Sequence, residues 1–249
     1  AGTRKWRIHK DFRELLVNQI DMVTAARKSA LVIPLEFPQV LTLPPALIQQ
    51  LGPGNALAFM QLIMEQALRQ MLPVDDDYRA FIMFRPRERT RDVQEWLAWT
   101  RGRATLEWNE GETRPQRLAH AVRYAFDDGA ERVILVEPTC LELKRSRLAE
   151  LFDALTSNDV LIGPTPERDI YAIATRHPLT ADLLEVTGHV DGCKPVALAE
   201  ALAARGLEVQ MLDDARAVRH PDDLAALPPQ VRATLPTKFR HGLSLLGLE

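Results

Sequence analysis

Two cysteines, Cys140 and Cys193, are too few for a disulfide framework, and neither belongs to a CxxC pair, so the sequence offers no thiolate zinc motif. That scarcity suits a reducing compartment, and the cytoplasm is the expected location. Long apolar runs are missing too: nothing approaches the roughly 18 residues that span a bilayer. Ala1 to Lys10 is basic and no signal-peptide core follows it, so the chain is expected to be unanchored, with no membrane partner. Charge of one sign is not in excess either. With 31 basic and 34 acidic residues the net charge is −3, which gives no global reason to bind nucleic acid. The 12 glycines form neither GxGxxG nor GxxxxGK[ST], which disfavours Rossmann and P-loop readings. No G-x-S-x-G elbow and no H-E-x-x-H occurs, and His9, His120, His177, His189, His220 and His241 lack metal-ligand spacing. Hydrolase and zinc-enzyme readings therefore have no support.

What is present is an ordinary globular composition, 46% hydrophobic and 26% charged over 249 residues, enough for one large core. Residues 11–28 place Phe12, Leu15, Leu16, Ile20 and Val23 at helical spacing and read as an amphipathic helix that docks on the domain or on a second copy. Apolar runs at 30–37, 79–84, 104–108, 132–137, 159–164, 170–175 and 207–212 read as strands. Helices are expected within 41–55 and over 56–72, 91–100, 115–128, 145–156 and 195–205, with Pro221-Asp222-Asp223 opening another. The methionine-rich stripe of 56–72 reads as core. The alternation predicts an α/β fold of three layers around a mostly parallel mixed sheet, with 159–175 supplying an antiparallel pair.

In such a sheet ligands bind at the carboxyl ends of the strands, which singles out Glu36, Arg85, Asn109 to Arg114, Glu137 to Cys140 and Pro164 to Asp169. Three segments around these loops resemble, in order, a known family. ERVILVEPTCLEL (131–143) is similar to R-V-V-L-I-G-S-D-C-P-x-L, and DVLIGPTPERDIYAIAT (159–175) to D-V-V-L-G-P-A-x-D-G-G-Y-Y-L-I-G-L. ARGLEVQMLDDARAVRHPDDLAAL (204–227) is similar to G-L-x-V-x-x-L followed by D-V-D-T-P-E-D-L. These are motifs of the GT-A-like nucleotide-sugar transferases related to arsenosugar-biosynthesis glycosyltransferases and, more distantly, to 2-phospho-lactate guanylyltransferase. The resemblance runs from about Ala30 to Leu227. It implies a GT-A domain over 30–235, with 1–29 a helical extension and 236–249 a C-terminal tail.

The same resemblance implies functional positions, and most carry other residue types here. The family's phosphate-neutralising Lys-Thr-Arg loop corresponds to Pro44, Pro45 and Ala46, and its metal-binding Asp to Thr139, a poor ligand for Mg²⁺ or Mn²⁺. The Asp and second Gly of G-D-x-G-x-R become Thr113 and Pro115, while Arg117 remains. D-G-G becomes Glu167-Arg168-Asp169, where loss of the glycines is expected to let the Arg-Asp side chains narrow the pocket. The two leading carboxylates of the last motif become Ala217 and Arg219.

Two functions follow from this pattern. In the first, the chain is a non-catalytic homologue kept for binding a small molecule or a protein, with no cofactor expected. A second copy of the chain is among the candidate partners. In the alternative it is an active glycosyl- or nucleotidyltransferase in which Glu137, Glu167 and Asp169 hold Mg²⁺ or Mn²⁺ and Arg85, Arg114 and Arg168 clamp phosphate. The candidate cleft residues for either are Glu36, Asn109, Arg114, Glu137, Thr139, Cys140, Glu167, Arg168 and Asp169. Cys140 reads as a small buried side chain, and Tyr171 as core with a satisfied hydroxyl.

Overall fold

The computed structural model describes residues 28–75, 77–185 and 195–248. The expected helix 11–28 falls almost entirely outside them. Among the described residues seven strands form one sheet in the order β3-β2-β1-β4-β6-β5-β7: β1 Ser29–Glu36, β2 Arg79–Arg85, β3 Thr105–Trp108, β4 Arg132–Val136, β5 Val160–Pro164, β6 Ile170–Thr175 and β7 Val209–Met211. Only β6 runs against its neighbours, β4 and β5; the other pairs are parallel. The mixed α/β sheet read from the sequence is therefore the observed one.

Alternation along the strands feeds two cores. Leu31, Ile33 and Leu35 of β1, with Ile134 and Val136 of β4, pack on one face against α1 (Pro45–Leu51), α2 (Pro53–Met71) and α5 (Arg145–Ala154). Ala30, Val32, Val133 and Leu135 point to the other face, against α4 (Arg114–Asp127), α6 (Ala181–Glu185) and α7 (Pro195–Ala203). Helix α2 buries Phe59, Met60, Ile63, Met64, Ala67, Leu68 and Met71, the methionine stripe expected to be core. Its carbonyl end is closed by Arg103 and Arg145, which donate to Leu72 O at 2.8 and 3.3 Å, as cations at a helix C-terminus do.

The helix expected at 91–100 divides into α3 (Thr90–Trp96) and a 3-10 turn over Ala98–Thr100. The Thr100 hydroxyl donates to the Leu97 carbonyl at 2.7 Å, a local bond that competes with the α-helical ladder. Past β7 the chain forms α8 (Pro221–Ala225), α9 (Pro229–Ala233) and α10 (Thr237–Leu245). Residues 236–249, set apart from sequence as a tail, thus contain a helix that buries Phe239 in the first core and lies against Leu62 of α2 at Gly242. Among the described residues no helix is long and apolar enough to cross a membrane.

Candidate functional site

β1 is the point at which the chain order turns, with β2 and β3 on one side and β4 on the other. Loops leaving two such parallel strands diverge and open a crevice at their carboxyl ends. A cleft of about 430 Å³ lies there, floored by Pro34 to Glu36 and Leu135 to Pro138. Arg85 enters from the end of β2, in register with Glu36, and Asn109 from the end of β3. The first turn of α4 contributes Arg114, Pro115, Arg117 and Leu118; β6 contributes Ile170 to Ile173; and Arg219 reaches in from the segment before α8.

The α4 turn is fixed locally. Thr113 caps the helix reciprocally with Gln116, and Pro115 occupies its first turn. Gly111 (φ +126°) passes so close to α4 that an added Cβ would lie 2.9 Å from the Arg117 backbone nitrogen. Arg117 donates to the Glu112 carbonyl at 2.8 Å. Asn109 is buried and meets His120 Nδ1 at 3.1 Å.

Four arginines and three carboxylates, Glu36, Glu137 and Asp169, line the cleft. Arg114 lies 3.6 Å from Glu137, and Arg219 Nη2 lies 2.5 Å from Asp169 Oδ2. Burial, then the positive charges of Arg85 and Arg114, lower the Arg117 guanidinium from its ordinary value against the opposing effect of Glu36. For Arg219 burial works against the charge, but Glu137, Asp169 and Glu167 outweigh it and raise the group. Neither Arg85 nor Arg117 has a carboxylate partner among the described residues.

Of the sequence candidates, Glu36, Asn109, Arg114, Glu137 and Asp169 line the cleft; Thr139, Cys140, Glu167 and Arg168 do not. Thr139 and Cys140 sit in the interior, where burial pushes the Cys140 thiol up to about 12, leaving it protonated at neutral pH. Glu167 is exposed and pairs with Arg216, while Arg168 points outward at the loop tip. The metal set Glu137, Glu167 and Asp169 is not assembled: each acid meets a different arginine, and among the described residues no cluster of three or more His, Cys, Asp or Glu is placed to hold a metal. At the turn that aligns with D-G-G, Asp169 lines the cleft together with Arg219, and Arg168 does not.

Two cleft arginines were absent from the candidates. Arg117 could have been included, being the residue of its motif that the sequence keeps. Arg219 was visible only as a lost carboxylate, and nothing in the sequence signals its pairing with Asp169, 50 residues away. Tyr171 is buried, lines the cleft and donates to Asp213 O at 3.2 Å. Its ring lies directly over Gly163, where any Cβ would collide with it.

Residues 70–187 match the family described as "Uncharacterized protein conserved in bacteria (DUF2064)". A structure from Desulfovibrio desulfuricans G20, named as a candidate nucleotide-diphospho-sugar transferase, superposes with a TM-score of 0.72 at 19% identity, over 88% of this chain and 96% of that one. More distant likenesses include 4-diphosphocytidyl-2C-methyl-D-erythritol synthase of Anaerococcus prevotii (TM-score 0.49, 11% identity, 84% and 99% covered). A cytidylyltransferase of Leptospira borgpetersenii stands at the same level (TM-score 0.49, 11% identity, 89% and 94% covered). Among curated proteins no relative matches the sequence. The architecture is the GT-A-like nucleotide-sugar transferase fold expected from the sequence.

Proposed function

We propose that this chain, built on the GT-A-like nucleotide-sugar transferase fold, is a binding protein that holds a diphosphate-bearing ligand of the nucleotide-sugar class in its cleft and does not turn it over. The observation that carries the reading is the convergence of Arg85, Arg114 and Arg117 on one end of the cleft, two of them without a carboxylate partner among the described residues. Like charges gathered in a partly buried place repel one another, and an entering polyanion relieves that repulsion. Guanidinium forks also match phosphate oxygens in shape, giving charge-assisted hydrogen bonds. Apolar side chains of Met64, Leu118 and Ile173 on the same cleft suit the faces of a base or sugar.

The absence of turnover is supported by Thr139 at the position where the resemblance puts a metal-binding Asp, by Ala217 and Arg219 in place of the two leading carboxylates of the last motif, and by the arginines on Glu137 and Asp169. Calorimetric titration with UDP- and GDP-sugars, their nucleoside diphosphates and inorganic pyrophosphate tests the binding, and chromatography of the same mixtures tests for turnover. Binding of the diphosphate-bearing compounds is expected, weakened about tenfold or more by Arg85→Ala or Arg117→Ala in a folded protein, as for a lost hydrogen bond to a charged group. Binding unchanged in both variants, no binding by wild type, or hydrolysis or transfer of a nucleotide-sugar would overturn the reading.

A further inference from the structure

The resemblance aligns Thr139 after β4 with the transferases' metal-binding Asp, and Ala217 and Arg219 before α8 with the two leading carboxylates of the last motif, and the fold brings the three positions side by side. The Val218 N–H donates to Thr139 O at 3.0 Å, and Cys140 and Ala217 form an isolated antiparallel bridge. The segment is pinned beyond as well, because Asp223 Oδ2 accepts the backbone N–H of Arg219 at 2.9 Å and of His220 at 2.8 Å. What stands at this junction is not a carboxylate set with one member missing. Thr139 is buried, its hydroxyl makes no hydrogen bond among the described residues, and it does not line the cleft. Arg219 does line it, with its guanidinium on Asp169 at 2.5 Å.

The residues present do not fit a divalent ion. Mg²⁺ and Mn²⁺ require several oxygen ligands around one point, and Glu137 and Asp169 are already engaged with guanidinium groups. An ion there would also sit against a fixed positive charge. We propose that Arg219 supplies from the protein itself the positive charge that a divalent cation supplies in the transferases this chain resembles, so that the cleft takes its phosphate-bearing ligand without metal. The second half of this statement rests on the binding role proposed above; the charge substitution rests on the resemblance at Thr139 together with the geometry of Arg219 and Asp169. Arg219 remains charged in this place because Glu137, Asp169 and Glu167 outweigh its burial.

The test uses the whole chain, stripped with EDTA and titrated with Mn²⁺ while free Mn²⁺ is followed by electron paramagnetic resonance. Wild type is expected to take up no Mn²⁺ at the cleft. Arg219→Asp and Arg219→Ala should each gain affinity by at least about tenfold, because a repelling charge leaves and Asp169 is freed. The gain should vanish on adding Asp169→Asn. Arg219→Met, which keeps the aliphatic stem, replaces the alanine variant if melting shows that the latter is unfolded. A wild-type Mn²⁺ site abolished by Asp169→Asn would overturn the proposal, as would folded Arg219 variants with no gain. In a second arm, wild type should bind pyrophosphate equally in EDTA and in Mn²⁺, and Arg219→Met should bind it at least about tenfold more weakly in EDTA. Pyrophosphate binding that requires Mn²⁺ would overturn metal-independence. No pyrophosphate binding at all, with the Mn²⁺ gains as expected, would remove the binding role and leave the charge substitution standing.

Discussion

Arg168 is the one described non-glycine residue in the left-handed region, at φ +64°. It occupies the middle of the turn between β5 and β6, where the resemblance places a glycine. The turn is closed around it by Thr165 N–H to Asp169 O at 2.8 Å and Arg168 N–H to Thr165 O at 2.9 Å, so the backbone has no freedom to relax. A side chain in that conformation costs about 1–2 kcal/mol, partly offset by the greater entropy glycine loses on folding. Arg168→Gly should therefore stabilise the protein by about 0.5–1 kcal/mol, raising the melting temperature by roughly 2 °C. A lower melting temperature would mean that the exposed guanidinium makes a contact worth more than the strain. The backbone demand of this turn was legible in the sequence as a replaced D-G-G motif, whereas the fate of the side chains was not. Asp169 turned inward because Arg219 was there to receive it. Arg168, with no side-chain partner among the described residues, turned to solvent. A position compared one at a time registers as kept or lost; pairing between residues 50 apart is a property of the folded chain.

Elements were legible where burial writes its period strongly. β1, β4 and β6 are sealed on both faces and read as short apolar runs, and α2 has enough turns for its stripe to be unmistakable. Edge strand β7 pairs over only three residues, so the run 207–212 overstated it. The five-residue α6 and α9 are too short to establish a period, and α10 went unseen because its burial rests chiefly on Phe239. That helix nonetheless joins the core: Phe239 is 3% exposed, and Leu243, Leu246 and Leu248 pack beside it. Phe239→Ala should cost about 3 kcal/mol by loss of buried area and the cavity left behind, lowering the urea midpoint with little change in slope. A loss under about 1 kcal/mol would show α10 to be an appendage, as the sequence boundary at 236 implied.

Across the whole molecule the net charge of −3 conceals a cleft in which arginines outnumber carboxylates. That arrangement has a thermodynamic signature at acid pH, carried by Asp169, whose carboxylate faces Arg219. For Asp169, burial pushes the carboxyl up, but the Arg219 hydrogen bond and charge and the Ile170 N–H at 2.9 Å pull it below its ordinary value. A carboxylate depressed in the folded state contributes its full stabilisation above the unfolded-chain value of about 4 and loses it as the pH falls through the lower folded value. Comparing wild type with Asp169→Asn isolates this contribution, since the remaining carboxylates are common to both chains and cancel in the difference. At neutral pH the variant should melt about 4 °C below wild type, the effect expected for losing one charge-assisted pair whose arginine is partly exposed. The gap should stay constant down to about pH 5 and close below about pH 4, because a protonated Asp169 carboxyl and the amide that replaces it are nearly alike in charge and shape. A gap that persists unchanged at pH 3 would mean that Asp169 stabilises the fold by packing, and that the Arg219 pair is not what holds this side of the cleft together.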